Sequence, residues 1–251
     1  MILTQVFNLF YDSVLALVYP LGCALCGASV EERALGVACE PCWHETRMFT
    51  CDDLLCWKCG SLSPGGAIEP DKRDQIRCRR CDGDAFTAAR ACGAYDGALR
   101  ASVLALKRAP NISQRVIRSL VETQGRPPLD SATRIIPVPL HPQREKARGF
   151  NQAGLISNLL ARAVGLPCDE VSLIRTVYSE RHRAGMDTKG RRDSVASAFS
   201  VRYPRLIEDE HVLLVDDVFT TGATVSACSG ALLAAGAREV FVLTIARTVN
   251  H

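Results

Sequence analysis

The spacing of apolar and polar residues changes near residue 85, and beyond that point it predicts regular secondary structure. Short apolar runs indicate strands, and apolar residues three or four positions apart indicate helices. Strands are predicted over 88–95, 134–140, 211–215 and 239–246, and helices over 99–106, 112–123, 151–164 and 223–235. Because a strand, a helix and a strand follow one another near the end, we expect a right-handed parallel unit. The predicted fold class is therefore α/β, a parallel sheet flanked by helices, over residues 86–251.

The first 20 residues carry an amphipathic pattern that predicts a helix. Its apolar stripe consists of Val6, Phe10, Val14 and Leu17. Asp12 interrupts the apolar run and no Lys or Arg precedes Arg33, so the segment matches neither a membrane span nor a secretory signal. We expect the helix to dock on the protein or on a partner. A membrane-surface helix is less favoured, because the polar face lacks Lys and Arg. The chain is expected to be cytoplasmic.

The composition is that of an ordinary globular protein. Of its 251 residues, 47% are hydrophobic and 23% are charged, which excludes disorder as the main state. The net charge is +3, from 30 basic and 27 acidic residues. The chain therefore has no global nucleic-acid signature, although a local basic patch can still bind phosphate.

Cysteine is concentrated at the start of the chain, where ten of the 12 cysteines lie in the first 92 residues. Eight of them form four Cys-x-x-Cys pairs: Cys23/Cys26, Cys39/Cys42, Cys56/Cys59 and Cys78/Cys81. Disulfides are rare in the cytoplasm, and two such pairs suit one tetrahedral zinc ion. Residues 21–85 are therefore predicted to form a small double zinc ribbon that holds two structural zinc ions.

The assignment of the four pairs to metal sites stays open at this point. Sequential pairing is the simplest, and a cross-braced arrangement is possible. Iron–sulfur ligation and reduced or redox-active cysteines are lesser alternatives. Gly27 and Gly60 follow the first and third pairs, where the backbone is expected to turn under the metal. The remaining cysteines are expected to be packing residues: Cys51, Cys92, Cys168 and Cys228.

The most specific segment runs from Val212 to Thr224. An apolar strand delivers the adjacent carboxylates of Asp216 and Asp217, and a short loop then opens a helix. The loop consists of Thr220, Thr221, Gly222, Ala223 and Thr224. A helix N-terminus offers unpaired N–H groups, glycine permits close approach of a ligand, and threonine adds hydroxyl donors. The segment predicts a phosphate cradle beside a carboxylate pair, at the strand end where open α/β sheets bind ligands. A capped helix after a buried strand is the alternative.

This segment closely resembles the ribose-phosphate signature of type I phosphoribosyltransferases. Further motifs are similar to those of the ComF family, also called GntX-like: Pro137-Val-Pro-Leu-His-Pro142, Arg144, Arg148-Gly-Phe-Asn-Gln152, Tyr95-Asp-Gly-Ala-Leu-Arg100 and Leu106-Lys107. The resemblance implies a type I phosphoribosyltransferase-like domain behind a double zinc ribbon. It also implies a role in competence, DNA uptake or DNA utilisation.

The resemblance implies roles for single residues as well. Asp216 and Asp217 would contact the ribose hydroxyls of phosphoribosyl pyrophosphate with magnesium, and the loop Thr220–Thr224 would hold the 5′-phosphate. Cationic residues after strand 134–140 are candidates for binding pyrophosphate, with a solvated loop as the alternative. They are His141, Arg144, Lys146 and Arg148. In an enzyme, the predicted catalytic residues are Asp216, Asp217 and Arg148.

A basic run follows at Arg181, His182, Arg183, Lys189, Arg191 and Arg192. It is interpreted as a lid over the site, as a contact for nucleic-acid phosphates, or as a solvated loop. The chain differs from the family pattern at 183–186 and 192–195, which leaves turnover open. Two hypotheses result. One is a phosphoribosyltransferase that acts on an unidentified base or amine. The other is a non-catalytic adaptor that binds single-stranded DNA or competence and recombination proteins through the ribbons and the basic loop.

Overall fold

The computed structural model of the chain describes residues 21–63, 75–176 and 198–249. The helix predicted over 1–20 and the basic run between Arg181 and Arg192 lie outside the described residues. Within the described part, no helix is long and apolar enough to cross a membrane.

A parallel sheet forms the centre of the described structure. The strands, in chain order, are β1 (Ala88–Ala94), β2 (Arg134–Pro137), β3 (Leu173–Arg175), β4 (Phe199–Val201), β5 (His211–Phe219) and β6 (Glu239–Arg247). Four of them form one sheet in the order β1-β6-β5-β2, and each neighbouring pair is parallel. Strands β3 and β4 form a separate antiparallel pair.

The helices connect the strands. They are α1 (Glu40–Glu45), α2 (Gly97–Leu106), α3 (Gln114–Gln124), α4 (Pro142–Arg148), α5 (Gln152–Val164) and α6 (Ala223–Ala234). Ser113 begins α3, because its side chain accepts from the N–H of Val116, and Asn151 caps α5 through the N–H of Ala153. Gly165, with φ of 75°, ends α5.

Alternate residues of the central strands point into two cores, one on each face of the sheet. The core under α2, α3 and α5 contains Leu99, Leu120, Ile156, Leu213 and Val215. The core under α6 and the β3–β4 pair contains Phe199, Val212, Leu214, Val225 and Leu232. The expected α/β class is thus confirmed as a parallel sheet flanked by helices.

The cysteine-rich segment covers the open edge of β1. The N–H of Phe49 donates to the carbonyl of Cys92, and the N–H of Ala89 donates to that of Lys58. Met48 pairs with Gly93, where a Cβ would lie 2.4 Å from the carbonyl oxygen of Arg47. An unpaired strand edge exposes hydrogen-bonding groups, so this cover completes the sheet. The boundary near residue 85 stays a prediction.

Two predicted elements differ from the observed ones in a way that affects the site. Strand β2 ends at Pro137, not at residue 140, and the loop expected after it forms α4 instead. Pro142 in the first turn and the cap by His141 explain this helix. Strand β5 continues to Phe219, beyond the predicted end at residue 215, because Asp216 pairs with Thr244 and Phe219 with Arg247 on β6.

Candidate functional site

The carboxyl ends of β2 and β5 border a crevice. The two strands are parallel neighbours, and Pro137 lies opposite Val215 at that end. The chain leaves β2 towards α5 on one face of the sheet and leaves β5 towards α6 on the other. Such a reversal is a topological switch point, where open α/β sheets bind their ligands. The predicted acidic pair and threonine loop lie at this position.

The acidic pair occupies the end of β5. The N–H of Asp217 donates to Oδ1 of Asp216 at 2.9 Å, and Nζ of Lys107 lies 3.4 Å from Oδ2 of Asp217. Burial, together with the charge of Asp217, raises the pKa of Asp216 to about 7, against 3.8 for an ordinary aspartate. The pair can therefore accept hydrogen bonds from hydroxyl groups or ligate a cation, and the pKa of one of its carboxyls lies near neutral pH.

The phosphate loop (Thr220–Thr224) connects the acidic pair to α6. Gly222 has a φ of 80° and is the residue before the helix, where a side chain would be strained. A Cβ there would also lie 2.8 Å from Cζ of Phe219. The Oγ1 of Thr221 accepts from the N–H of Ala223 at 3.4 Å, and Thr220 and Thr221 are exposed. The loop thus presents hydroxyl and N–H groups at the start of a 12-residue helix, an arrangement that suits a phosphate.

The predicted pyrophosphate residues lie on α4 and at its start, after β2. The Nδ1 of His141 accepts from the N–H of Gln143 and so caps the helix. Arg148 donates to Oε1 of Gln152 at 2.7 Å, which ties it to the first turn of α5. Lys146 is exposed. The pKa of Arg175 is lowered, first by burial and then by the positive charge of Arg144. The sheet places α4 at the same edge as the acidic pair, and a role in binding pyrophosphate stays a prediction.

Two residues near the acidic pair carried no predicted role in the site. Lys107 follows the last residue of α2, and only the tertiary fold brings it to Asp217. Cys228 on α6 is fully buried, and burial followed by the charge of Asp216 raises its thiol pKa far above the ordinary value. Hydrophobicity and spacing give no signal for the contact between Lys107 and Asp217, although Leu106-Lys107 is one of the motifs similar to the ComF family. The apolar pattern of α6 already indicates that Cys228 is a packing residue.

The eight paired cysteines form two groups. The first cluster is Cys23, Cys26, Cys39 and Cys42, and the second cluster is Cys56, Cys59, Cys78 and Cys81; within each, the sulfur atoms lie within 4.8 Å of one another. The pairing is thus sequential and not cross-braced. Cross-pair sulfur distances are 3.5 and 3.7 Å in both clusters. A tetrahedron with Zn–S bonds of about 2.3 Å has edges of about 3.8 Å, so each cluster could hold one zinc ion.

In each cluster, local hydrogen bonds lower the pKa of at least one cysteine, whereas burial raises the pKa of others, that of Cys81 to about 12. Burial raises the pKa of Cys23, but N–H groups that include those of Cys26 and Cys39 outweigh it and lower the pKa to about 6. A hydrogen bond from the Cys59 side chain, and then N–H groups that include that of Cys78, lower the pKa of Cys56 to about 3. Thiolate is the metal-binding form of cysteine, so these donors fit metal ligation.

The two clusters repeat one backbone motif. The N–H of Gly27 donates to the carbonyl of Cys23, as Gly60 does to Cys56, and both glycines have positive φ. The flanking residues pair in the same way, Gly22 with Ser29 and Leu55 with Leu62. The predicted turn under each first pair of cysteines is therefore present in both clusters.

The fold and the site define a class: a parallel α/β protein with two four-cysteine clusters at its N-terminal side and, at its switch point, a threonine-rich loop that suits a phosphate. Among curated proteins, the chain is similar to Competence protein F of Haemophilus influenzae, with 38% identity over 116 residues, which cover 45% of this chain and 49% of that protein. It is 31% identical to the DNA utilization protein YhgH of Escherichia coli O157:H7 over 138 residues, 55% of this chain and 60% of that protein.

These two matches span about half of the length of each relative. A match of 28% identity to YhgH of Shigella flexneri extends over 235 residues, 90% of this chain and 97% of that protein. The resemblance predicted from the motifs is confirmed: the chain is a homologue of these competence and DNA utilization proteins. No protein-family model matches the chain.

Solved structures that match include a glutamine phosphoribosylpyrophosphate amidotransferase from B. subtilis, at a TM-score of 0.36 and 22% identity over 54% of this chain and 28% of that one. Adenine phosphoribosyltransferase from Leishmania tarentolae matches at a TM-score of 0.35 and 20% identity, over 55% of this chain and 58% of that one.

Proposed function

We propose that the chain binds a ribose 5-phosphate ligand, and phosphoribosyl pyrophosphate in particular, in the crevice between β2 and β5. The observation that carries this proposal is the acidic pair at the end of β5, followed directly by the phosphate loop at the switch point. The names of the relatives support a role in competence or DNA utilisation.

The proposal gives each part of the site one task. N–H groups and threonine hydroxyls of the phosphate loop bind the 5′-phosphate, and the dipole of α6 adds to their attraction for the anion. Asp216 and Asp217 accept hydrogen bonds from the ribose hydroxyls, and Lys107 leaves Asp217 when they do so. Carboxylate oxygens also suit magnesium, so Asp216 and Asp217 would hold the ion, which would offset the negative charge of the ligand. Proton exchange at Asp216 near neutral pH lets the pair adapt to either partner.

Pyrophosphate would be bound by His141, Arg144 and Arg148, at the same edge of the sheet. For transfer to an acceptor, the bond between C1 of ribose and pyrophosphate breaks through an oxocarbenium-like state. Asp216, Asp217 and Arg148 are the proposed catalytic residues, since they would hold the sugar and the leaving group as that charge develops. The proposal also assigns one structural zinc ion to each cysteine cluster, as the sulfur geometry supports.

Calorimetric titration with phosphoribosyl pyrophosphate and magnesium tests the ligand. The parent chain is expected to bind, and the double variant Asp216→Asn/Asp217→Asn is expected to lose at least about tenfold in affinity, because hydrogen bonds to charged groups are among the stronger ones. The matched control is Asp209→Asn, which removes a carboxyl two residues before the start of β5, at the end away from the site. Asp209 has a φ of 60°, which Asn also tolerates. Equal binding by parent and double variant would contradict the proposal.

A second candidate function is an adaptor for single-stranded DNA. It is favoured by four cationic residues around the second cluster: Lys58, Arg77, Arg79 and Arg80, of which the three arginines are exposed. Such a group can bind nucleic-acid phosphates, and the affinity then falls steeply with salt. Fluorescence anisotropy with a labelled single strand tests this function. Binding that weakens in Arg79→Gln/Arg80→Gln and survives Asp216→Asn/Asp217→Asn would support the adaptor.

A further inference from the structure

The second cluster packs on the elements that form the phosphate loop. Its Cys56, Cys59 and Cys81 lie in the same core as Phe219, the last residue of β5, and Val225 of α6. The first cluster lies on the opposite face, where its cysteines share a core with α2 and α3. The second cluster is therefore adjacent to the proposed ligand site, and the first cluster is not.

Arg247, the last residue of β6, connects the second cluster to Phe219. It donates from Nη1 to the carbonyl oxygen of Cys59, and its guanidinium carbon lies 4.9 Å from the centre of the Phe219 ring. Arg247 is 8% exposed. Phe86 meets the same ring edge to face, with the ring centres 5.9 Å apart. A buried guanidinium stays charged and needs polar or aromatic partners, so the Cys59 carbonyl and the Phe219 ring fix the position of Arg247. Arg247 and Phe86 together fix the position of Phe219.

A second connection reaches the start of α6. The segment after Cys81 turns back through a hydrogen bond from the N–H of Asp84 to the Cys81 carbonyl at 3.1 Å. The N–H of Ala85 then donates to Oγ of Ser226 at 3.0 Å, within the first turn of α6. A Cβ on Gly222 would lie 3.6 Å from Oδ2 of Asp84. Both ends of the phosphate loop are thus held by residues next to the second cluster.

We propose that Arg247 is a positioning residue for the phosphate loop and that the metal-bound second cluster holds Arg247 in place. The inference rests on the proposed function, in which this loop binds the 5′-phosphate. Its consequence is that affinity for a phosphate ligand depends on Arg247 and on the second cluster that holds it.

Metal binding affects Arg247 in two ways. Four thiolates around a zinc ion leave a net negative charge near the guanidinium, which favours its burial. The metal also fixes the turn that carries the Cys59 carbonyl, the acceptor for Arg247. When the metal leaves, this turn loses its constraint and Arg247 loses a fixed partner. Phe219 then has fewer fixed neighbours, and the loop that begins after it opens more often.

Hydrogen exchange in the unliganded, zinc-loaded protein tests the positioning role. In Arg247→Met, amides of residues 220–226 are expected to exchange about tenfold faster. This factor corresponds to the stabilisation that is lost with one hydrogen bond from a charged group. The matched control is Arg90→Met. Arg90 also donates to a carbonyl of the second cluster's turn, that of Trp57 at 2.8 Å, and lies 5.1 Å from that residue's ring centre. The control is expected to lose stability without a selective change in the loop.

Two further results complete the test. Phe219→Leu keeps the bond from Arg247 to Cys59 but removes the ring, and faster exchange in the same loop is expected even if Arg247→Met fails to fold. Equal loop exchange in the parent and in the variants at 247 and 219, or equal changes in Arg247→Met and Arg90→Met, would overturn the proposal.

Calorimetry with ribose 5-phosphate separates this inference from the proposed function. If the parent binds neither ribose 5-phosphate nor phosphoribosyl pyrophosphate with magnesium, the proposed function fails, and the exchange result still decides whether Arg247 orders the loop. If the parent binds, the dissociation constant is expected to rise about tenfold in Arg247→Met and to stay unchanged in Arg90→Met. Parent-like affinity in Arg247→Met would show that Arg247 has no positioning role in binding.

Discussion

At the scale of single residues, the acidic pair makes stability depend on pH. The pKa of Asp216 is raised from 3.8 to about 7, first by burial and then by the charge of Asp217. Between these values the folded state holds a proton that the unfolded state has lost. The contribution of Asp216 to stability is therefore fully present below about pH 4 and is lost as the pH rises through about 7.

Replacement of Asp216 by Asn is expected to stabilise the protein at pH 8 by about 2 kcal/mol and to change its stability little at pH 4. Each pKa unit corresponds to about 1.4 kcal/mol of stability. We expect less than the full pKa shift of Asp216 to appear as stability, because Lys107 partly neutralises the charge of the neighbouring Asp217. Urea unfolding of parent and variant at both pH values, without magnesium, measures the difference. An equal effect of the substitution at pH 4 and pH 8 would contradict the assigned cause.

Sequence alone located the acidic pair, the phosphate loop and the eight clustered cysteines, because each is a local motif whose chemistry follows from adjacent or closely spaced residues. It could not locate Lys107 or Arg247 in the site. Lys107 meets Asp217 only after α2 packs on the sheet, and Arg247 meets Cys59 only after the second cluster covers the edge of β1. Contacts between residues so distant in sequence depend on tertiary structure, which periodicity does not encode.

At the scale of elements, the same distinction explains the boundaries. The helical spacing of α5 and the apolar runs of β5 and β6 were sufficient to predict their existence. The extension of β5 to Phe219 depends on its pairing with β6, and the polar, charged sequence of α4 hides a helix that Pro142 and His141 begin. Both differences place predicted site residues on regular elements and not on loops, which gives the proposed site a more rigid frame.

The repeated cysteine motif predicts that each cluster holds one metal ion independently. Cys26 is the exposed ligand of the first cluster, and Cys51 is an exposed cysteine that belongs to neither cluster. Substitution of Cys26 by Ser is expected to lower the zinc content from about two ions per chain to about one, because a closed structural site needs four ligands. Cys51→Ser is the control and is expected to keep about two ions. Atomic absorption on protein purified anaerobically measures both, and zinc content that is equal in the two variants would contradict the assignment.

At the scale of the whole molecule, the cysteine clusters and the sheet form common cores. Cys23, Cys39, Cys42 and Trp43 belong to the core that contains Leu99 and Leu213. Cys56, Cys59 and Cys81 belong to the core that contains Ile136 and Leu214 on the other face. The sequence predicts two regions that meet near residue 85, a zinc ribbon over 21–85 and an α/β part over 86–251. Shared cores favour one cooperative unit, because the sheet would lose apolar cover on both faces if the cysteine-rich part unfolded.

We therefore expect zinc-free protein to unfold in one transition, about 10 °C or more below the zinc-loaded protein, since a structural zinc site contributes several kcal/mol to folding. The chain provides a separate probe for each part. Both of its tryptophans, Trp43 and Trp57, lie in the cysteine-rich segment, so their fluorescence follows that part, while far-UV circular dichroism follows the helices of the α/β part. Coincident transitions from the two probes, shifted together when zinc is removed, are the expected result. A circular dichroism transition that stays at the same temperature while the fluorescence transition moves would show that residues beyond 85 fold independently.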